Sequence, residues 1–159
     1  MPTILTTIEI HAPIERCFDL ARSIDFHIHS MAATGERAVA GVTRGLISEG
    51  QEVTWRARHL GLTRELTSRI TRCERPRVFI DEQVRGSFRR FRHEHRFESL
   101  APDRTLATDT FEFESPLGPL GRITNALFLT RYMTSLLRAH SATLKKTLEA
   151  EDWKRYLKP

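Results

Sequence analysis

Polar and apolar positions along the chain follow two different periods. From Thr3 to Ile10 β-branched residues predominate, and the run predicts a strand. His11-Ala12-Pro13 breaks it. Pro13 suits a helix start, and the apolar residues Ile14, Cys17, Phe18 and Ala21 then recur at helical spacing. A second short helix is expected around Asp25 to Met31. From Glu36 onward the period changes to two. Arg37 to Ile47, Glu52 to His59, Thr63 to Cys73, Arg77 to Val84, Arg89 to Ser99 and Arg104 to Glu114 read as successive strands. Leu60-Gly61, Arg75-Pro76, Gly86-Ser87 and Ala101-Pro102-Asp103 supply turns between them. Connections this short imply an antiparallel meander.

A turn-rich connector, Ser115-Pro116-Leu117-Gly118-Pro119-Leu120-Gly121, leads into one last segment from Arg122 to about Glu151. There the helical period returns. Ile123, Ala126, Leu127, Tyr132, Met133, Leu136, Leu137, Leu144 and Leu148 fall on one broad stripe, with Arg131, Arg138, Lys145, Lys146 and Glu149 opposite. The expectation is an α+β domain in which a curved antiparallel sheet grips a long C-terminal helix. Such an arrangement usually leaves a cavity between sheet and helix.

The strand period also assigns faces. His93 and His95 share a face with Phe91 and Phe97, whereas Arg90, Arg92, Glu94, Arg96 and Glu98 lie on the other. Two histidines therefore point inward. In the following strand Asp109 alternates in phase with Phe111 and Phe113, so it should face them. Phe79, Asp81 and Gln83 share one face of an earlier strand, but Val78 and Ile80 make the other face apolar as well, so the pattern leaves that strand's orientation open. A buried carboxylate is costly unless paired, and the histidines are the obvious partners of Asp109. Three readings fit: a satisfied polar network in the core, a polar cluster that orients a ligand in an apolar pocket, and a metal or acid–base site. His-x-His plus a cross-strand Asp resembles a two-histidine, one-carboxylate triad. That resemblance rests on facing alone, so no metal is expected. Trp55, Phe128 and Tyr132 read either as core or as cavity lining. His27 and His29 lie near the first helix end, where a cavity mouth or plain solvation are the alternatives.

Composition narrows the class. With 159 residues, 40% apolar and 28% charged, the chain reads as a single domain spanning 1–159. No apolar run approaches the roughly 20 residues a membrane span needs, and no secretion-signal pattern opens the chain. The cytoplasm is the expected compartment, and Cys17 and Cys73 are expected as free thiols. The net charge of +5 reflects arginines crowded at Arg85, Arg89, Arg90, Arg92 and Arg96. A solvated sheet face is the simpler reading, and peripheral contact with an anionic lipid surface is the sharper one. Nucleic acid is not expected, because Glu94 and Glu98 interleave and no stacking-aromatic signature accompanies the arginines. No phosphate loop, dinucleotide fingerprint, nucleophile elbow, zincin motif or Cys-x-x-Cys is present, so no cofactor is expected.

The opening TIEIHAPIERCFDLARSIDFHIHSM, with its Ala-Pro-x-Glu-x-x-Phe-Asp-Leu, resembles the start of the SRPBCC superfamily. That superfamily includes START lipid-transfer domains, the birch-pollen-allergen type and polyketide cyclase/dehydrase-like proteins. The blocks VFIDEQVRGSFRRFRHEHRFES and SPLGPLGRI resemble a bacterial ligand-binding subfamily. The resemblance covers nearly the whole chain. It implies a helix-grip fold: seven antiparallel strands around a long C-terminal helix, with two short helices after the first strand. It also implies a cavity that takes a hydrophobic small molecule or lipid. By the subfamily pattern, Phe79, Asp81, Gln83, His93, His95 and Asp109 match recurrent positions, which turns the ambiguous strand inward. With Trp55, Phe91, Phe97, Phe111, Phe128, Tyr132 and Leu136 they make up the expected ligand-binding set. The superfamily has no universal catalytic residue to transfer. A cyclase or dehydratase using the inward His and Asp as general acid and base is the alternative to a binding protein.

Overall fold

The computed structural model describes residues 1–115 and 121–158. The connector 116–120 and the side chains of Ile123 and Ala126 lie outside the described residues. Strand β1 (Thr3–Ile10) is followed by helices α1 (Ile14–Ala21) and α2 (Ile24–Ser30). Then come β2 (Arg37–Gly41), β3 (Glu52–His59), β4 (Leu62–Glu74), β5 (Val78–Arg85), β6 (Arg90–Ala101) and β7 (Arg104–Glu114), and finally the long helix α3 (Gly121–Glu149). The strands form one antiparallel sheet in the order β1-β7-β6-β5-β4-β3-β2. The two ends of the chain's strand sequence, β1 and β7, are neighbours. The fold is a helix grip, as the alternation predicts.

Local chemistry explains the boundaries. Ser23 caps α2 by accepting a hydrogen bond from the Phe26 amide at 3.2 Å. Leu60 (φ 52°) and Gly61 (φ 79°) both take left-handed conformations, the geometry of the tight β3–β4 turn. One expectation is corrected. The strand read from Arg37 to Ile47 stops at Gly41, whose φ is +72° and where a Cβ would run into the Glu52 carbonyl. Beyond Gly41 the chain turns away, and Leu46 forms only an isolated bridge to Ser23.

The interior holds two apolar clusters. One gathers α1, α2 and the last turns of α3 around Phe18, Phe26, Phe79, Phe97, Leu144 and Leu148. The other joins Ile4, Phe91, Phe111, Phe113 and Leu137, with Leu129 and Met133 of α3 against it. Inward residues of β6 run Phe91, His93, His95, Phe97, and those of β7 run Ala107, Asp109, Phe111, Phe113. Each strand thus passes from one apolar cluster to the other through a polar step. Those polar steps make the site.

Candidate functional site

The sheet register brings four polar side chains together. Asp81 lies opposite His93 on the β5–β6 pair, and His95 lies opposite Asp109 on the β6–β7 pair. His95 Nδ1 is 2.7 Å from Asp109 Oδ1 and its Nε2 is 3.2 Å from Asp81 Oδ1. The His95 ring stacks on Phe79, with centroids 4.2 Å apart and planes 16° off parallel. His93 lies beside it, ring centroids 3.8 Å apart. His93 Nδ1 is 3.8 Å from Asp81 Oδ1, and Nε2 is 3.4 Å from Asp109 Oδ1. That oxygen is already occupied by His95, and the buried His93 Nε2 has no hydrogen-bond partner. Ser141 of α3 donates to Asp109 Oδ2 at 3.2 Å.

The charges follow from these contacts. Burial opposes the charged form of His95, but the two carboxylates on its nitrogens outweigh it and push the ring up to about 9. Burial, together with the positive His95 alongside, pushes His93 down. Burial works against both carboxylates as well. The His95 hydrogen bond and the charge of His93 nevertheless hold Asp81 low, and contacts with both histidines hold Asp109 well below the usual range. The cluster therefore carries two carboxylates, one imidazolium and one neutral imidazole. It is not sealed: 10–19% of each side chain remains accessible.

A second polar group lies on the helical side. His27 Nε2 approaches Glu36 Oε1 at 3.3 Å, and the His27 ring packs on Trp55 with centroids 4.4 Å apart. His140 Nδ1 is 2.7 Å from Ser30 Oγ. Ser30 already donates its only proton to the His27 carbonyl, so His140 must donate from Nδ1. Burial, with His27 nearby, pushes His140 down to about 3. Helical spacing could have found this residue: His140 lies four positions after Leu136 and four before Leu144, inside the apolar stripe. Ser30, Glu36 and Ser141 gave no such signal.

The other expected residues are dispersed. Trp55, Phe79 and Phe97 belong to the first apolar cluster, and Phe91 and Phe111 to the second. Gln83 stands apart from the His/Asp cluster. Its side chain donates to the Phe88 carbonyl at 2.7 Å and accepts from the Phe88 amide, holding the β5–β6 turn. Tyr132 and Leu136 are half-buried on α3, and the Tyr132 hydroxyl meets His59 Nδ1 at 2.8 Å. Phe128 is 55% exposed and stacks near Tyr132. A hollow of about 270 Å³ at the β1–α3 seam is lined by Thr6, Ile8, Arg138 and Ser141. Of the residues at the His/Asp cluster, only Ser141, which donates to Asp109, lines it.

A sequence profile of the family described as polyketide cyclase / dehydrase and lipid transport matches residues 1–149. The chain belongs to this family. Its place in the SRPBCC superfamily, expected from the opening motif, follows. No curated protein matches the sequence. Among solved structures, a protein from Thermus thermophilus aligns at TM-score 0.77 with 15% identity, covering 94% of this chain and 99% of its own. A START superfamily protein from Mycobacterium smegmatis aligns at 0.71 with 13% identity, covering 93% and 97%. The Zhui aromatase/cyclase from Streptomyces sp. R1128 aligns at 0.68 with 14% identity, covering 99% and 96%. At such identities these likenesses establish the shared fold. The family's description names polyketide cyclases, dehydrases and lipid transport. None of the described helices of this polyketide cyclase/dehydrase-family member is long and apolar enough to cross a membrane.

Proposed function

We propose that this protein binds a hydrophobic small molecule or lipid between the sheet and α3, in the cytoplasm, with the ligand's polar end received by Asp81, His93, His95 and Asp109. One observation carries the reading. His93 Nε2 is buried without a hydrogen-bond partner, in a partly accessible polar step between two apolar clusters. An unmatched buried polar atom costs about 1–3 kcal/mol, which a ligand hydroxyl or carbonyl would recover. Phe79 and Phe97 flank that step from one cluster and Phe91 and Phe111 from the other, and burial of a ligand's apolar body alongside, with Tyr132 and Leu136 on the helix side, would supply affinity at about 25 cal/mol per Å². The family description, which includes lipid transport, supports the same class of ligand.

Native mass spectrometry of gently purified protein, before and after incubation with a cellular lipid extract, tests this. A one-to-one adduct released by organic solvent, and lost in Leu136→Trp, is expected. Protein that carries no adduct and takes up none overturns the reading.

A second reading is favoured by Asp109, which lies behind both adjacent imidazoles. A carboxylate so placed orients histidines for dehydration, where one ring takes a proton next to a carbonyl and the other protonates the departing hydroxyl as water. Incubation with a β-hydroxyacyl thioester would then yield the unsaturated thioester, and folded His93→Gln protein would not form it. Equal turnover by both proteins removes this second reading and leaves the binding reading intact.

A further inference from the structure

We propose that Asp81, His93 and His95 bind one divalent transition-metal ion of the zinc type, with Asp109 supporting both histidines from behind. This goes beyond the ligand-binding reading and does not depend on it, although it uses the same side chains: in the metal-bound form Asp109 takes the partnerless His93 Nε2 and a ligand's polar end would meet the ion instead. Sequence spacing alone carried no such expectation, since it established only that the two histidines share a face. The sheet register adds the missing geometry.

One ligand atom from each of the three side chains lies within 4.8 Å of the others. Asp81 Oδ1 is 3.2 Å from His95 Nε2 and 3.8 Å from His93 Nδ1. An ion bound at about 2.0–2.1 Å with near-tetrahedral or octahedral angles separates its ligands by roughly 3.0–3.5 Å. The Asp81–His95 separation already falls in that range, the Asp81–His93 separation lies a few tenths of an ångström outside it, and all three atoms lie within 4.8 Å, so the rings must draw together as the ion binds. All three residues stand on adjacent paired strands, which fix their spacing better than loops would.

The orientation of the rings is the stronger argument. Each histidine turns one nitrogen towards Asp81 and the other towards Asp109. Asp109 Oδ1 is 2.7 Å from His95 Nδ1 and 3.4 Å from His93 Nε2, and Ser141 holds its second oxygen. A carboxylate on the distal nitrogen of a ligating histidine sets the ring's tautomer and raises its basicity. Here one carboxylate serves two rings at once. The orphaned His93 Nε2 would become a proper donor to Asp109 once the ring turned to ligate through Nδ1.

Charge points the same way. Two carboxylates meet in this interior, and among the described residues no lysine or arginine contacts either of them. A divalent ion would displace the His95 proton and, with its two charges, balance both carboxylates where the imidazolium balances one. A donor set of two nitrogens and one oxygen suits zinc and neighbouring first-row ions, in contrast to the all-oxygen sets of magnesium and calcium. Three protein ligands leave positions open, and the residual access at the cluster would let water or a ligand's polar end fill them.

The test uses the metal alone. Chelator-treated full-length protein is dialysed against zinc chloride, then against metal-free buffer, and zinc per chain is measured. One zinc per chain is expected, with affinity lowered at least about tenfold in Asp81→Asn and about 10–100-fold in Asp109→Asn. Cobalt(II) provides a readout on the native protein that needs no variant: visible bands of nitrogen and oxygen coordination are expected. No retained zinc, zinc held equally by Asp81→Asn, a cobalt spectrum unchanged from the aqueous ion, or a thiolate charge-transfer band from a cysteine would overturn the proposal.

Discussion

His95 and Asp109 stand directly opposite each other on β6 and β7, with Nδ1 2.7 Å from Oδ1, in the gap between two apolar clusters. Removing one member of such a pair leaves the other charge buried without its partner. We therefore expect Asp109→Ala to cost about 3–5 kcal/mol in urea unfolding. His95→Gln combined with Asp109→Asn should cost less than the sum of the two single changes. Strict additivity would show that the pair is not coupled.

The two phenylalanines at opposite extremes of exposure should behave differently. Phe113 is fully buried among Phe88, Phe111 and Ile4. Phe113→Ala should lose about 3–5 kcal/mol of stability. Phe128 is exposed, and Phe128→Ala should stay within about 0.5 kcal/mol. Chemical denaturation of both proteins is the check, and similar losses for the two would contradict the placement of α3 against the sheet.

His140 gives the fold a defined response to acid. Its folded value lies near 3 against 6.5 for the free ring, because burial first, and then the neighbouring His27, disfavour its protonation. Between those values the unfolded chain binds more protons, so stability falls as pH drops through that window, by at most about 1.4 kcal/mol per pH unit. Above about pH 6.5 this contribution is fully present. Other groups contribute too, with Asp109 favouring protonation and His93 and His95 opposing it. The comparison that isolates His140 is with His140→Gln. Urea unfolding should show the stability gap between the two proteins shrinking as pH falls below that point. A constant gap would mean that His140 titrates normally.

The arginine-rich outer face is substantially matched by acid. Arg92 and Arg96 both reach Glu94, Arg92 also approaches Glu112, and Arg56 pairs with Glu65. Exposed pairs of this kind are worth little, so Arg56→Ala should change stability by less than about 1 kcal/mol. Cosedimentation with anionic vesicles tests the sharper reading of this face. Binding that is steep in salt and lost in Arg89→Glu with Arg92→Glu would establish it as a lipid-contact surface.

Much of the fold was legible because strand and helix periods differ so clearly. Phe91 and Phe97 bracket His93 and His95 in sequence, so their common face could be read directly, as could that of Asp109 from Phe111 and Phe113. Asp81 was harder, since Val78 and Ile80 on the opposite face are buried too. Only the superfamily resemblance turned it inward. The His93–Asp81 register and the shared Asp109 are matters of strand pairing, which alternation within one strand does not encode. His140 stayed hidden because a single histidine in a helical stripe reads as one more interior position until α2 is seen to bring Ser30 against it. The false extension of β2 arose because β-branched Val42, Thr43 and Ile47 continue past Gly41, where the backbone leaves the sheet.

The most direct measurement is a titration of isotope-labelled protein with β-naphthol, a neutral aromatic body bearing one hydroxyl, followed by methyl and histidine-ring NMR. The account predicts saturable shifts at Met133, Leu136 and Leu137 together with the rings of His93 and His95, all reaching half-saturation at one concentration. Shifts confined to exposed Leu60, Leu62 and Leu127, or none that saturate, would contradict a ligand site between the sheet and α3.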